Sequence, residues 1–221
     1  MASAERSPNL SPGAAIYGPV VLAAYDAFVL GFSNRYVWRC PTPRLLAHYD
    51  AHVSANHLDV GVGTGYFLDR CRFPVSDPAL ALLDLHPAAL GWARRRLRRY
   101  QPRTYRADVL RPLALGGARF DSVGLNYVLH CLAGDLPSKA IAFDHLAAVL
   151  NPGAVLFGAT ILGRGQPRNR LARRLQSTYN RRGIFSNLAD DAPSLDQELG
   201  QRFRDHRVEI VGCVALFAAR A

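Results

Sequence analysis

Lysine is all but absent from this chain: Lys139 is the only one, so every other member of the 27 basic residues is arginine. Acidic residues number 17, which leaves a formal charge of +10. Cysteine is sparse too. Cys40, Cys71, Cys131 and Cys213 are scattered, with no C-x-x-C and no Cys/His pair at zinc-ligand spacing. That excludes a zinc motif, predicts small, buried, reduced thiols, and gives no reason to expect a metal. No apolar run approaches the ~18–20 residues of a membrane span. The opening MASAERSPNLSPG has no basic segment feeding an apolar one, which predicts no secretory leader and a soluble, cytoplasmic protein.

What is present is a globular composition. The 221 residues are 49% hydrophobic and 20% charged, a balance that excludes disorder and collagen-like repeats. The length fits one domain. Residues 1–13, rich in Ser, Pro and Ala, predict a flexible terminus, and 14–221 a single domain made of a helical lid (14–54) and a core (55–221). In the lid, a helix is expected from Pro19 to Leu30 and another from Pro41-Thr42-Pro43 toward His52. Strands are expected at 57–61, 80–85, 103–107, 121–126 and 154–162. Helices are expected at 66–71, from Pro87 onward and at 136–150, followed by a polar helix-prone stretch over 167–203. A closing hairpin, 207–211 with 214–219, turns at Gly212-Cys213. Alternating strands and helices predict an α/β fold: a Rossmann-like, mostly parallel sheet of seven strands with an antiparallel C-terminal hairpin strand. Such sheets bind ligands outside the carboxyl ends of their strands.

The segment His57-Leu-Asp-Val-Gly-Val-Gly-Thr-Gly-Tyr66 carries the most information. A strand runs through three alternate glycines into a helix, a turn that needs positive φ and lets a ligand approach bare backbone. A nicotinamide-binding loop would place its third glycine at position 66, which is Tyr66, and a phosphate-binding P-loop would need a lysine the segment lacks. What remains is D-x-G-x-G-x-G from Asp59 to Gly65. On this motif the chain resembles the class I S-adenosylmethionine-dependent methyltransferases over roughly residues 55–221. The resemblance implies a cofactor, S-adenosyl-L-methionine, and a set of cofactor-binding residues. Asp59, Gly61, Gly63, Thr64, Gly65 and Tyr66 match the loop. Asp84, followed by Leu85, matches the acid at the end of strand two that takes the ribose hydroxyls. Asp108 and Val109 match the position after strand three near the adenine, and Asn126 and Tyr127 the end of strand four. Leu150-Asn-Pro-Gly153 matches the family's turn before strand five.

The sulfonium makes the methyl electrophilic, so alignment with a nucleophile is the main task, and a general base matters only for an acceptor that must lose a proton. His130, beyond strand four, is the candidate base, with Tyr127 beside it as the second catalytic candidate. Acceptor contacts are expected from Tyr17, Tyr25, Asn34 and Trp38 before strand one, from His130, and from Tyr179 in the insert after strand five. Trp38 and Tyr66 are candidates for an aromatic face toward the sulfonium. Asp135, Lys139 and Asp144 are expected to be solvated helix charges.

Leu90, Ala93, Leu97 and Tyr100 fall on one helical stripe, which predicts that the arginines at 94–96, 98 and 99 point to solvent. A chain of 221 residues is expected to leave no room for a recognition module beside them. The expected partner is therefore a small aromatic or heteroaromatic metabolite of specialised metabolism, not nucleic acid and not a membrane, with the enzyme a monomer or homodimer. The accepting atom (C, N or O) stays open; an indole-type carbon is one candidate because aromatic walls and one histidine suit it. Two alternatives stand: an RNA or protein methyltransferase using the arginine surface, and a donor-binding protein without turnover.

Overall fold

In a computed structural model the described residues are 26–221. They begin in a π-wound helix α1 (Asp26–Val37), followed by α2 (Thr42–His52). The strands are β1 (Asn56–Val60), β2 (Ala79–Asp84), β3 (Arg103–Arg106), β4 (Phe120–Asn126), β5 (Leu150–Ile161), β6 (Asp205–Val211) and β7 (Val214–Arg220). Between them lie α3 (Tyr66–Arg70), α4 (Pro87–Arg96), α5 (Leu136–Lys139), α6 (Ile141–Ala147), α7 (Arg170–Arg181) and α8 (Ala192–Gly200).

The seven strands order as β3-β2-β1-β4-β5-β7-β6. β1 to β5 pair in parallel, while β7 runs antiparallel to both β5 and β6. This is the Rossmann-like arrangement expected from the alternation of strands and helices. The order reverses between β1 and β4, so the crevice that opens at their carboxyl ends is the ligand position of such a sheet.

Burial on both faces explains why the central strands read as continuous apolar runs. In β2, Ala81 and Leu83 face a core shared with Phe143 and Leu146 of α6, while Leu80 and Leu82 pack with Leu90, Ala93 and Leu97 against α4. Each such leucine contributes about 1.5–3 kcal/mol by leaving water.

Several local expectations are corrected. The first helix does not end at Leu30 but runs on to Val37, because Leu30, Ser33, Asn34 and Val37 form its buried face at helical spacing; the stretch from Pro19 to Tyr25 lies outside the described residues. The helix expected over 136–150 is two short ones, split where the Phe143 N–H tightens back onto the Ala140 carbonyl. β5 starts at Leu150, not Ala154, because Leu150 pairs with Phe120 and a register shift absorbs the Asn-Pro-Gly turn. Of the thiols, only Cys40 and Cys213 are buried, and Cys131 is exposed. Arg94, Arg95 and Arg98 are exposed, but Arg96 folds back onto the glycine loop.

Candidate functional site

Because β2, β1 and β4 are neighbours, their carboxyl ends bring Asp84, the loop from Gly61 to Gly65 and Asn126 to one edge of the sheet. Asp59 sits in β1 just below the loop, buried, and its Oδ1 accepts a 2.7 Å hydrogen bond from the Tyr49 hydroxyl of α2. Burial, and the Asp59 charge after it, raise the Tyr49 phenol well above its ordinary pKa, so it stays a donor. Tyr49 in turn lies flat on Phe67 of α3, with ring centroids 5.0 Å apart.

The loop is left-handed at all three glycines. At Gly61 a side chain would overlap Val128, where the end of β4 comes close; at Gly63 one would meet nothing nearer than the Gly61 carbonyl at 4.0 Å. Gly63 therefore presents bare backbone to open space. Thr64 is held from behind, its carbonyl and hydroxyl each accepting from Arg96 Nη1 at 3.1 Å. Tyr66 opens α3 half-buried, its ring edge-on to Phe67 and 6.0 Å from the Arg70 guanidinium.

Asp84 is buried, and its Oδ1 accepts from the His86 N–H at 2.9 Å. Burial raises its pKa above the usual carboxylate value, with the Asp59 charge adding to the effect and the His86 N–H opposing it. Leu85 follows it half-buried. After β3, Asp108 is partly exposed and caps its own turn by accepting from the Leu110 N–H at 2.9 Å. Val109 turns its side chain into the core, and its carbonyl accepts from His145 Nδ1 at 2.9 Å.

At the end of β4, both side-chain amide atoms of Asn126 are buried without a hydrogen-bond partner. A sealed, unpartnered polar group costs about 1–3 kcal/mol, which makes this amide a candidate ligand contact. Tyr127 follows with φ of +59°, strained for a residue with a side chain. Its hydroxyl donates to Asn34 Oδ1 at 2.9 Å, and Asn34 Nδ2 donates to Thr42 Oγ1 at 3.0 Å. Asn34 is thus fully buried and ties α1 to β4 and α2, which places it behind the site wall rather than on it. Trp38 is likewise buried, 6.0 Å from Phe185, and backs the wall without lining it. Tyr17 and Tyr25 lie outside the described residues.

His130 lies in the short turn after β4, buried, with the ring of Phe185 edge-on at 4.6 Å and that of Tyr127 at 5.5 Å. Its Nδ1 accepts from the Ile161 backbone N–H at 3.3 Å, and Thr160 Oγ1 is 3.4 Å away. Burial, and then the Lys139 charge, push its pKa down to about 3. A neutral imidazole whose Nδ1 lone pair is engaged by a backbone N–H carries its proton on Nε2. The expectation of a general base therefore meets a ring whose basic nitrogen is turned to the backbone. Tyr179 of α7 is half-buried, edge-on to Phe185 at 4.9 Å, and burial raises its pKa.

The insert that carries Tyr179, expected to form part of an acceptor wall, also supplies Phe185, the hub that Trp38, His130 and Tyr179 all touch. Lys139, expected in solvent, is fully buried and donates to Asp190 Oδ2 at 2.6 Å and to the Ser186 carbonyl. The Ser186 N–H closes the strap by donating to the His130 carbonyl at 2.8 Å. Tyr49 escaped the sequence reading. The signal for Lys139 was its solitude among 26 arginines.

Comparison with known proteins decides the family. Residues 58–156 match the model of a methyltransferase domain. The demethylluteothin O-methyltransferase of Streptomyces thioluteus is 41% identical over 207 residues, covering 94% of this chain and 90% of that one. The physcion biosynthesis cluster O-methyltransferase of Aspergillus chevalieri is 40% identical, covering 96% and 97%. In fold, the N-methyltransferase NodS of Bradyrhizobium japonicum WM9, solved with S-adenosyl-L-homocysteine, superposes with a TM-score of 0.59 at 18% identity, covering 91% and 96%. The chain belongs to the class I S-adenosylmethionine-dependent methyltransferases.

The residues of this methyltransferase fit the donor on their own terms. An orphaned amide at Asn126, a buried carboxylate at Asp84 and open backbone at Gly63 together suit a ligand rich in hydroxyls and polar atoms. No helix among the described residues is long and apolar enough to cross a membrane.

Proposed function

We propose that this methyltransferase transfers a methyl group to a hydroxyl oxygen of a small aromatic or heteroaromatic secondary metabolite. The observation that carries the reading is the aromatic wall of Phe185, Tyr179 and His130 standing beside the donor edge of the sheet. Its support is the naming of two relatives, 41% and 40% identical over nearly the whole chain, as O-methyltransferases; on that ground oxygen is preferred to an indole-type carbon.

Bound S-adenosylmethionine supplies an electrophilic methyl on a sulfonium. In this reading Asp84 accepts from the ribose hydroxyls, Asp108 and Val109 border the adenine, and the loop from Gly61 to Gly65 gives backbone contact. Asn126 gains the partner it lacks. Asp59 stays fixed by Tyr49, and α1 with α2 closes over the acceptor. Orientation of the two reactants is worth effective molarities of about 10⁵–10⁸ M, so positioning is the chain's main contribution. A labelled-methyl assay over a panel of hydroxylated, amino and carbon-nucleophile aromatics, read by mass spectrometry, tests it: transfer to hydroxyls is the expected result, and transfer confined to nitrogen or carbon would overturn it.

A further inference from the structure

The acceptor wall has a polarity that limits what it receives. His130 is a neutral ring that offers a hydrogen and withholds a lone pair: Ile161 N–H engages Nδ1, so the proton sits on Nε2, which bonds to no described residue. The titratable groups packed around it share that character. Tyr127 and Cys131 lie on its own turn, Tyr179 on α7, and Lys139 on α5 with Asp190 behind it. Burial raises the Tyr179 phenol, the Tyr127 hydroxyl donates to Asn34, and the one carboxylate nearby, Asp190, is held by Lys139. No group among them is placed as a general base for the acceptor, and His130 Nε2–H is the donor the wall offers.

We propose, building on the hydroxyl reading above, that the acceptor is a hydroxyl acidic enough to be ionised before it binds: an enol conjugated to a carbonyl, or a phenol acidified by one, held as its oxyanion by His130 Nε2–H. Such an acceptor gives up its proton to solvent. The oxyanion then attacks the methyl carbon, a C–O bond forms as the C–S bond breaks, and the bond pair returns to sulfur, leaving a neutral thioether. Charge balances, and no side chain takes a proton. Burial and the nearby ammonium keep the ring neutral through the whole neutral range, which is the state the donor role needs.

The test uses the full chain with S-adenosylmethionine and three bicyclic acceptors of similar size: 4-hydroxycoumarin (an ionised enol at neutral pH), 2-naphthol (a phenol that is not) and 2-naphthylamine. The fraction ionised falls about tenfold for each unit by which a hydroxyl's pKa exceeds the pH, so kcat/KM for the enol is expected at least about tenfold above the naphthol, with a pH profile that moves with the acceptor. His130→Gln keeps an N–H donor, and its carbonyl can accept from Ile161; it is expected to retain activity within about threefold. His130→Phe removes the donor and is expected to lose about ten- to hundredfold, with S-adenosylhomocysteine affinity unchanged by calorimetry in both variants as the control for folding. Equal rates on the naphthol and the enol, or a His130→Gln loss matching His130→Phe together with an acid limb that stays fixed across acceptors, would overturn the proposal and leave O-methylation standing. Methylation of the naphthylamine alone, or of none of the three, would remove the hydroxyl reading itself.

Discussion

Tyr49 and Asp59 stand ten residues apart in sequence and 2.7 Å apart in space, hydroxyl to carboxylate, each buried, one on a helix packed over the sheet and the other in its first strand. The bond is the joint between the helical N-terminal region and the strand that leads into the glycine loop. His57 Nε2 stands 3.7 Å from the same carboxylate oxygen, so Tyr49 is its nearer partner.

Tyr49→Phe removes that donor and nothing else of size. A hydrogen bond to a charged group is worth about 1.5–3 kcal/mol, so affinity for S-adenosylmethionine is expected to fall about ten- to hundredfold while the thermal midpoint moves by a few degrees. Titration calorimetry reads it. An unchanged dissociation constant would mean that Asp59 keeps its position without help from α2.

Asp84 trades stability for binding. Burial raises its carboxyl pKa, so the folded state is favoured in acid and loses that advantage as pH rises through the folded value. Asp84→Asn is expected to raise the melting temperature of the cofactor-free protein at neutral pH and to weaken donor binding at least about tenfold. Melting curves and calorimetry on the same samples decide it; a destabilised variant would show that the carboxylate is needed for folding.

The acid side of the stability curve belongs to two histidines. Burial pushes His48 down to about 4 and His130 down to about 3, against an ordinary value of about 6.5. Protons therefore prefer the unfolded chain. Stability is complete above about pH 6.5 and declines as pH falls toward those values, by up to about 1.4 kcal/mol per pH unit for each group. Urea unfolding across this range is expected to flatten in His130→Gln. A slope identical to that of the parent would assign the effect to other groups.

Lys139 and Asp190 strap the segment carrying Phe185 across the ends of β4 and β5. Breaking a buried pair by removing one partner costs about 3–5 kcal/mol, whereas replacing both by apolar groups is often neutral. Lys139→Met is accordingly expected to lower unfolding free energy by that amount, and the double variant with Asp190→Leu to recover most of it. Chemical denaturation measures both; a harmless single substitution would remove the strap.

The donor half was legible because it is local. A strand, three alternate glycines and a helix are consecutive in sequence, and Asp84 follows at the end of the next strand, so period and spacing carried the information. The acceptor half was not, because tertiary contacts decide it. Nothing in the spacing of Asn34 and Tyr127 shows that they bond to each other, which turns an expected ligand contact into a structural tie. Lys139 read as a solvated helix charge because helical periodicity does not reveal that its partner lies on a segment about fifty residues later. The continuation of α1 past Leu30 is the same kind of miss: two of the residues on its buried face, Ser33 and Asn34, are polar, and only their tertiary packing shows that they face inward.

The Asn126 amide is buried at the edge of the sheet with no hydrogen-bond partner among the described residues. Filling that want is also a folding force: a ligand at a hundred times its dissociation constant adds about 2.7 kcal/mol to the native state. Rising donor concentration is therefore expected to lift the melting temperature of the native chain step by step, so that occupancy can be read as thermal resistance.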